Sequence, residues 1–103
     1  MNVTISARHC EIPESLRAAT QARIARLERY HPRLADAEVT FDVERTTHNV
    51  EIRLVVEGQS PVIARASAET FQAALDRGVD RGLRQLRRGR ERSVARRQAA
   101  PVQ

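Results

Sequence analysis

At 103 residues the chain has the size of one domain, large enough to fold on its own core without disulfides or metals. Its single cysteine, Cys10, excludes an internal disulfide and fits a reducing compartment. No apolar run reaches the length of a membrane span and no signal peptide opens the sequence, so a soluble, cytoplasmic protein without membrane partners is expected. The net charge of +5 points to a polyanionic partner. All 18 basic residues are arginines, whose planar forks suit phosphates and stack on bases.

In chain order, Val3, Ile5 and Ala7 alternate with Thr4 and Ser6 as a short half-buried strand over 3–7. Pro13-Glu14 opens a helix that carries Leu16, Thr20, Ile24, Leu27 and His31 at helical spacing. His31-Pro32 ends it. Strands follow over Glu38–Glu44 and Val50–Glu57, with Thr46–Asn49 as the connecting hairpin. Gly58-Gln59-Ser60-Pro61 turns into a weaker strand that carries Val62, Ala64 and Ala66.

The last element is a helix from about Glu69 to Arg90. At about 100° per residue, Phe71, Leu75, Val79, Leu83 and Leu86 share an arc of about 120°. Arg77, Arg81, Arg84 and Arg88 cluster almost opposite. Gly78 and Gly82 weaken this helix by about 1 kcal/mol each relative to alanine, which implies a close approach at that flank, with the first helix as one candidate and plain core packing of Gly82, inside the apolar arc, as the alternative. Residues 91–103 are expected as a basic, disordered tail after a folded domain of residues 1–90. The order β-α-β-β-β-α predicts an α+β two-layer domain, with two helices on one face of a four-stranded, mainly antiparallel sheet.

The charge is concentrated late in the chain. Residues 77–97 carry nine arginines against Asp80 and Glu91, a balance of +7, and the remainder balances at −2. The outward positions of the second and third strands carry Glu38, Asp42, Glu44, Glu51 and Glu57 against Arg53, with no rings on which bases could stack. RNA is therefore expected on the helix side, read by backbone shape. The stripe of four arginines could be an ordinary solvated face, but such faces mix signs, and like charges four apart cost about 0.2–0.5 kcal/mol each. Arg23 and Arg26 flank the apolar stripe of the first helix, where binding and snorkelling are both open.

Catalytic readings find little footing. His9, His31, His48 and Cys10 show no metal-ligand spacing, His9-Cys10 is a chance adjacency, and His31 and His48 read as a helix-end and a turn residue. No phosphate-cradling glycine loop is present. No catalytic residue, metal, cofactor or small-molecule substrate is expected.

Several segments, taken in order, resemble the short ribosome hibernation promoting factors, the group that includes the ribosome-associated inhibitor of translation. They are Asn2-Val3-Thr4-Ile5-Ser6, Glu11-Ile12-Pro13-Glu14-Ser15-Leu16-Arg17, Arg23-Ile24-Ala25-Arg26-Leu27-Glu28-Arg29-Tyr30, Val43-Glu44-Arg45-Thr46-Thr47-His48 and Ala73-Ala74-Leu75-Asp76 with Leu83-Arg84-Gln85-Leu86. The resemblance covers about residues 1–90 and implies the same fold, related to double-stranded-RNA-binding domains. It implies binding to the small ribosomal subunit and its rRNA in the channel for messenger and transfer RNA, which inhibits translation and preserves idle ribosomes under stress or in stationary phase. It assigns RNA binding to Arg23, Arg26 and Arg29 on the first helix and to Arg81, Arg84, Arg87, Arg88 and Arg90 on the second, beside Arg77 of the stripe. Two outcomes stay open: ribosome dimers formed with a helper protein, or inactive monosomes. A general double-stranded-RNA binder, or a regulator docking an acidic protein, are the alternative readings.

Overall fold

A computed structural model describes the backbone of residues 1–99 and the side chains of residues 1–91. Its elements are β1 (Asn2–Arg8), α1 (Glu14–Tyr30), β2 (Leu34–Glu44), β3 (Thr47–Val56), β4 (Val62–Ala68) and α2 (Phe71–Ala99). The strands form one sheet in the order β1-β2-β3-β4. β1 pairs parallel to β2, with Ile5 opposite Val39, because the crossover through α1 returns the chain in the same direction. The other two pairings are antiparallel.

The α+β two-layer expectation holds. Alternation sends Val39 and Phe41 of β2, Val50, Ile52 and Leu54 of β3, and Ala64 and Ala66 of β4 into the core. Leu16, Ile24 and Leu27 of α1 and Leu75, Val79 and Leu86 of α2 meet them from one side. Thr20 is tolerated in this core because its hydroxyl donates to the Leu16 carbonyl at 2.8 Å. The nearly ring-free composition leaves one aromatic cluster, in which Phe71 packs edge-on against Phe41 and His48 at centroid distances of 5.3 and 4.7 Å. His48 is thus a half-buried strand residue rather than a turn residue.

Several boundaries differ from expectation. β2 starts at Leu34, four residues early, because an irregularity between Leu34 and Asp36 interrupts the inside–outside alternation. The β2–β3 connection is the two residues Arg45-Thr46, with Arg45 at φ +58°. Pro13 caps α1 with its backbone carbonyl alone, and α2 is capped by the Thr70 hydroxyl, which accepts from the Ala73 N–H at 3.1 Å.

The largest correction concerns the end of α2. Expected to stop near Arg90, it continues to Ala99, so 91–99 is helical backbone rather than a disordered tail; 100–103 lie outside the described residues. Gly89 does not adopt the positive φ of a helix-ending glycine. Beyond it come arginine, glutamate, alanine and glutamine, all good helix formers, and proline arrives only at 101.

The helical glycines serve the sheet, not α1. A Cβ on Gly78 would stand 2.9 Å from Val50 Cγ1 and 3.1 Å from Ile52 Cδ1. Gly82 faces Leu54 and Ala64 at 3.6 and 3.8 Å. α2 therefore settles directly onto β3 and β4.

Candidate nucleic-acid interface

The two helices lie side by side and run in the same direction. Arg23 of α1 bonds Asp76 of α2, and seven residues on, Tyr30 meets Arg87. Their paired flanks form a surface opposite the open face of the sheet.

Around α2 the polar residues divide into three sets by what they meet. On the flank toward β4, Arg77 Nη1 donates to the Ser67 carbonyl at 2.8 Å, Arg81 to the Arg65 carbonyl, and Gln85 Nε2 to the Ile63 carbonyl at 3.1 Å. Four residues of helix advance about 6 Å and two residues of strand about 6.6–6.8 Å, so every fourth α2 side chain reaches every second β4 carbonyl. Farther out, Arg84 bonds Asp80 one turn earlier, and Arg88, also engaged within the protein, falls between Arg77 and Arg81 by angle. On the flank toward α1 lie Asp76, Arg87 and Arg90.

This division re-sorts the nine expected RNA-binding arginines. Arg23 and Arg84 face carboxylates, and Arg77 and Arg81 cover the sheet edge with one N–H each. Among the described residues, Arg26, Arg29, Arg87 and Arg90 meet no carboxylate. Arg23, Arg26 and Tyr30 fall at i, i+3 and i+7 on α1, one continuous stripe. Arg87 Nε donates to the Tyr30 hydroxyl at 3.3 Å, and the guanidinium carbons of Arg87 and Arg90 lie 5.6 and 5.9 Å from the ring centroid. Helical periodicity points to the stripe opposite the core and not to this corner. Its signal was the lone tyrosine at a helix end, together with two arginines on the α1 side of the apolar arc.

Beneath the corner sits His31, the C-cap of α1, whose backbone N–H bonds the Leu27 carbonyl at 2.8 Å. The residue is 3 % exposed, and neither ring nitrogen has a hydrogen-bond partner. Burial first, then the charges of Arg90 and Arg33, push its pKa down, so the ring is held neutral.

The open sheet face is more mixed than expected. Arg65 pairs with Glu51 at 2.7 Å, and Arg8 stands opposite Asp42 in the register, so Arg53 is not the sole cation there. It carries no phenylalanine, tyrosine or tryptophan, since the only three lie in the core and at the end of α1. His9 and Cys10 diverge: the imidazole meets Asp42 at 3.1 Å, while the thiol points to the Phe41 carbonyl at 3.9 Å. Partial burial, then the Asp42 charge, raise the pKa of that thiol, the opposite of an activated nucleophile. Among the described residues no cluster of three metal-binding side chains occurs, and no helix is long and apolar enough to cross a membrane.

Residues 3–94 match the family model described as Sigma 54 modulation protein / S30EA ribosomal protein. The chain is 34% identical over 98 residues to a ribosome hibernation promoting factor of Azotobacter vinelandii, covering 95% of this chain and 91% of that one. To the protein of the same name in Escherichia coli K12 it is 33% identical over 92 residues, covering 89% and 96%. The fold is similar to the N-terminal domain of Protein Y from Thermus thermophilus, with TM-score 0.77 and 29% identity over 85% of this chain and 98% of that one. It is also similar to a ribosomal subunit interface protein from Coxiella burnetii, with TM-score 0.80 over 85% and 96% of the chains; at 17% identity this bears on fold alone.

Proposed function

Because the chain belongs to the Sigma 54 modulation protein / S30EA ribosomal protein family, we propose that it is a ribosome hibernation factor. In this reading it docks on rRNA of the small subunit through α1 and α2, occupies the messenger and transfer RNA channel, inhibits translation and preserves idle ribosomes in the cytoplasm. The relatives' names support the hibernation role, which is one of binding rather than catalysis. The observation that carries the docking surface is that Arg26 and Arg29 of α1 and Arg87 and Arg90 of α2 meet no carboxylate among the described residues. Guanidinium forks that face no carboxylate are what a phosphate backbone recruits. The residues assigned to contact RNA are Arg23, Arg26, Arg29, Arg77, Arg81, Arg84, Arg87, Arg88 and Arg90, with the four at the corner dominant. A helper protein for ribosome dimerisation belongs to the same reading.

The test is co-sedimentation with small subunits. Arg26→Ala/Arg29→Ala/Arg87→Ala/Arg90→Ala is expected to lose at least a hundredfold in affinity. Arg77→Ala/Arg81→Ala should lose far less. Retained binding in the quadruple variant removes the corner from the interface, and displacement by free duplex RNA as readily as by subunits makes the protein a general duplex binder instead.

A further inference from the structure

Tyr30 is the single tyrosine of the chain, half-buried where α1 ends. Two guanidinium groups lie within 6 Å of its ring centre, and neither meets a carboxylate among the described residues. Arg33, just before β2, lies close to Gly58 of the β3–β4 turn and adds its charge near His31. The neutral His31 beneath contributes no charge.

A packing role explains part of this. Arginine stems lie well on an aromatic ring, and cations suit the C-terminal end of α1. Neither reason calls for two guanidinium groups on one ring. Each is attracted to the ring, but they repel one another, and no carboxylate in the described structure relieves that. An anion placed between them would. A planar group laid on the ring or on a guanidinium plane would at the same time gain stacking.

We propose that the Tyr30–Arg87–Arg90 cluster is a binding site for one unpaired nucleotide of RNA, its phosphate on the arginines and its base stacked on the aromatic–guanidinium platform. The site deepens the proposed function and rests on it, because it supplies a single-strand contact on a surface that otherwise reads backbone shape. A base within a duplex has both faces covered by its neighbours and cannot use the platform. The cluster therefore selects looped or extruded nucleotides over regular helix.

The chain contains no tryptophan, so Tyr30→Trp places a unique fluorophore in the platform. Its emission is expected to be quenched by a single-stranded RNA oligonucleotide and by small subunits, and not by a duplex of equal length. Tyr30→Leu is expected to lose about five- to a hundredfold in affinity for the single strand, the range of one base–aromatic stack. Its duplex affinity should stay within twofold, and Tyr30→Phe should bind nearly as the parent does. Equal losses on single strand and duplex would make the ring a mere support for the arginines and overturn the site. So would emission of the Tyr30→Trp variant that RNA leaves unquenched, or quenching by polyglutamate in place of RNA. If Tyr30→Leu fails to melt cooperatively, the emission of Tyr30→Trp decides alone. Parent protein that sediments with subunits while Tyr30→Leu does so equally well defeats this site and leaves the hibernation reading intact. Parent protein that fails to sediment defeats that reading, and the oligonucleotide arm still judges the site.

Discussion

His31 shows how a single side chain can make fold stability respond to pH. Its ring is enclosed at the end of α1 with both nitrogens unpartnered, and burial, then Arg90 and Arg33, hold its pKa below the ordinary value. The unfolded chain therefore takes up a proton before the folded one does. Stability must fall as pH drops below about 6.5, the unfolded value, and level off once the folded ring is protonated as well. We expect the melting temperature of the parent to decline between about pH 7 and 5.5, and that of His31→Leu to decline less over the same interval. Parallel curves for the two proteins would mean that the ring finds a partner in solution. The helical spacing that put His31 in line with Leu16, Thr20, Ile24 and Leu27 revealed its burial. Arg33 stands two residues on in the sequence, but Arg90 was not legible as a neighbour, because it arrives from α2, far away in the chain.

At the scale of the element, α2 was half legible. Its apolar arc was readable because 3.6-residue periodicity survives any tertiary context, and its basic stripe was readable for the same reason. What the stripe does was hidden, since the β4 carbonyls that Arg77, Arg81 and Gln85 reach leave no mark on side-chain pattern. The start of β2 was hidden by its irregular register, and the end of α2 by a glycine that here continues a helix. The two buried glycines give substitutions of opposite sign. Gly78→Ala forces a methyl to 2.9 Å from Val50 and should destabilise by about 1–3 kcal/mol. Gly82→Ala meets only ordinary contacts and should stabilise by up to about 1 kcal/mol through helix propensity. Urea midpoints that move the same way for both would contradict the direct seating of α2 on β3 and β4.

The whole molecule is a two-sided object, with mixed charges and no Phe, Tyr or Trp on the open sheet face and, on the helices, Arg26, Arg29, Arg87 and Arg90 that meet no carboxylate among the described residues. Salt dependence can count how many of these arginines touch phosphate. If only Arg26, Arg29, Arg87 and Arg90 do, affinity for small subunits should fall roughly a hundredfold between about 50 and 200 mM salt; all nine would give on the order of 10³–10⁵. Equilibrium binding across that range decides between the corner and the full set, and a flat profile would argue against phosphate contacts altogether. The extension of α2 to Ala99 belongs to this scale as well, stretching the molecule to 57 Å along its longest axis against 23 and 17 Å across.

The row of side chains that α2 lays along β4 also governs how the sheet can grow. A strand edge with bare carbonyls is a template for another chain, and here Ser67, Arg65 and Ile63 have theirs occupied from within. The opposite border, β1, has one such guard, Arg17 on the Ile5 carbonyl at 3.3 Å. With three carbonyls occupied on β4 and one on β1, the β1 border offers an incoming strand more free acceptors than the β4 border does.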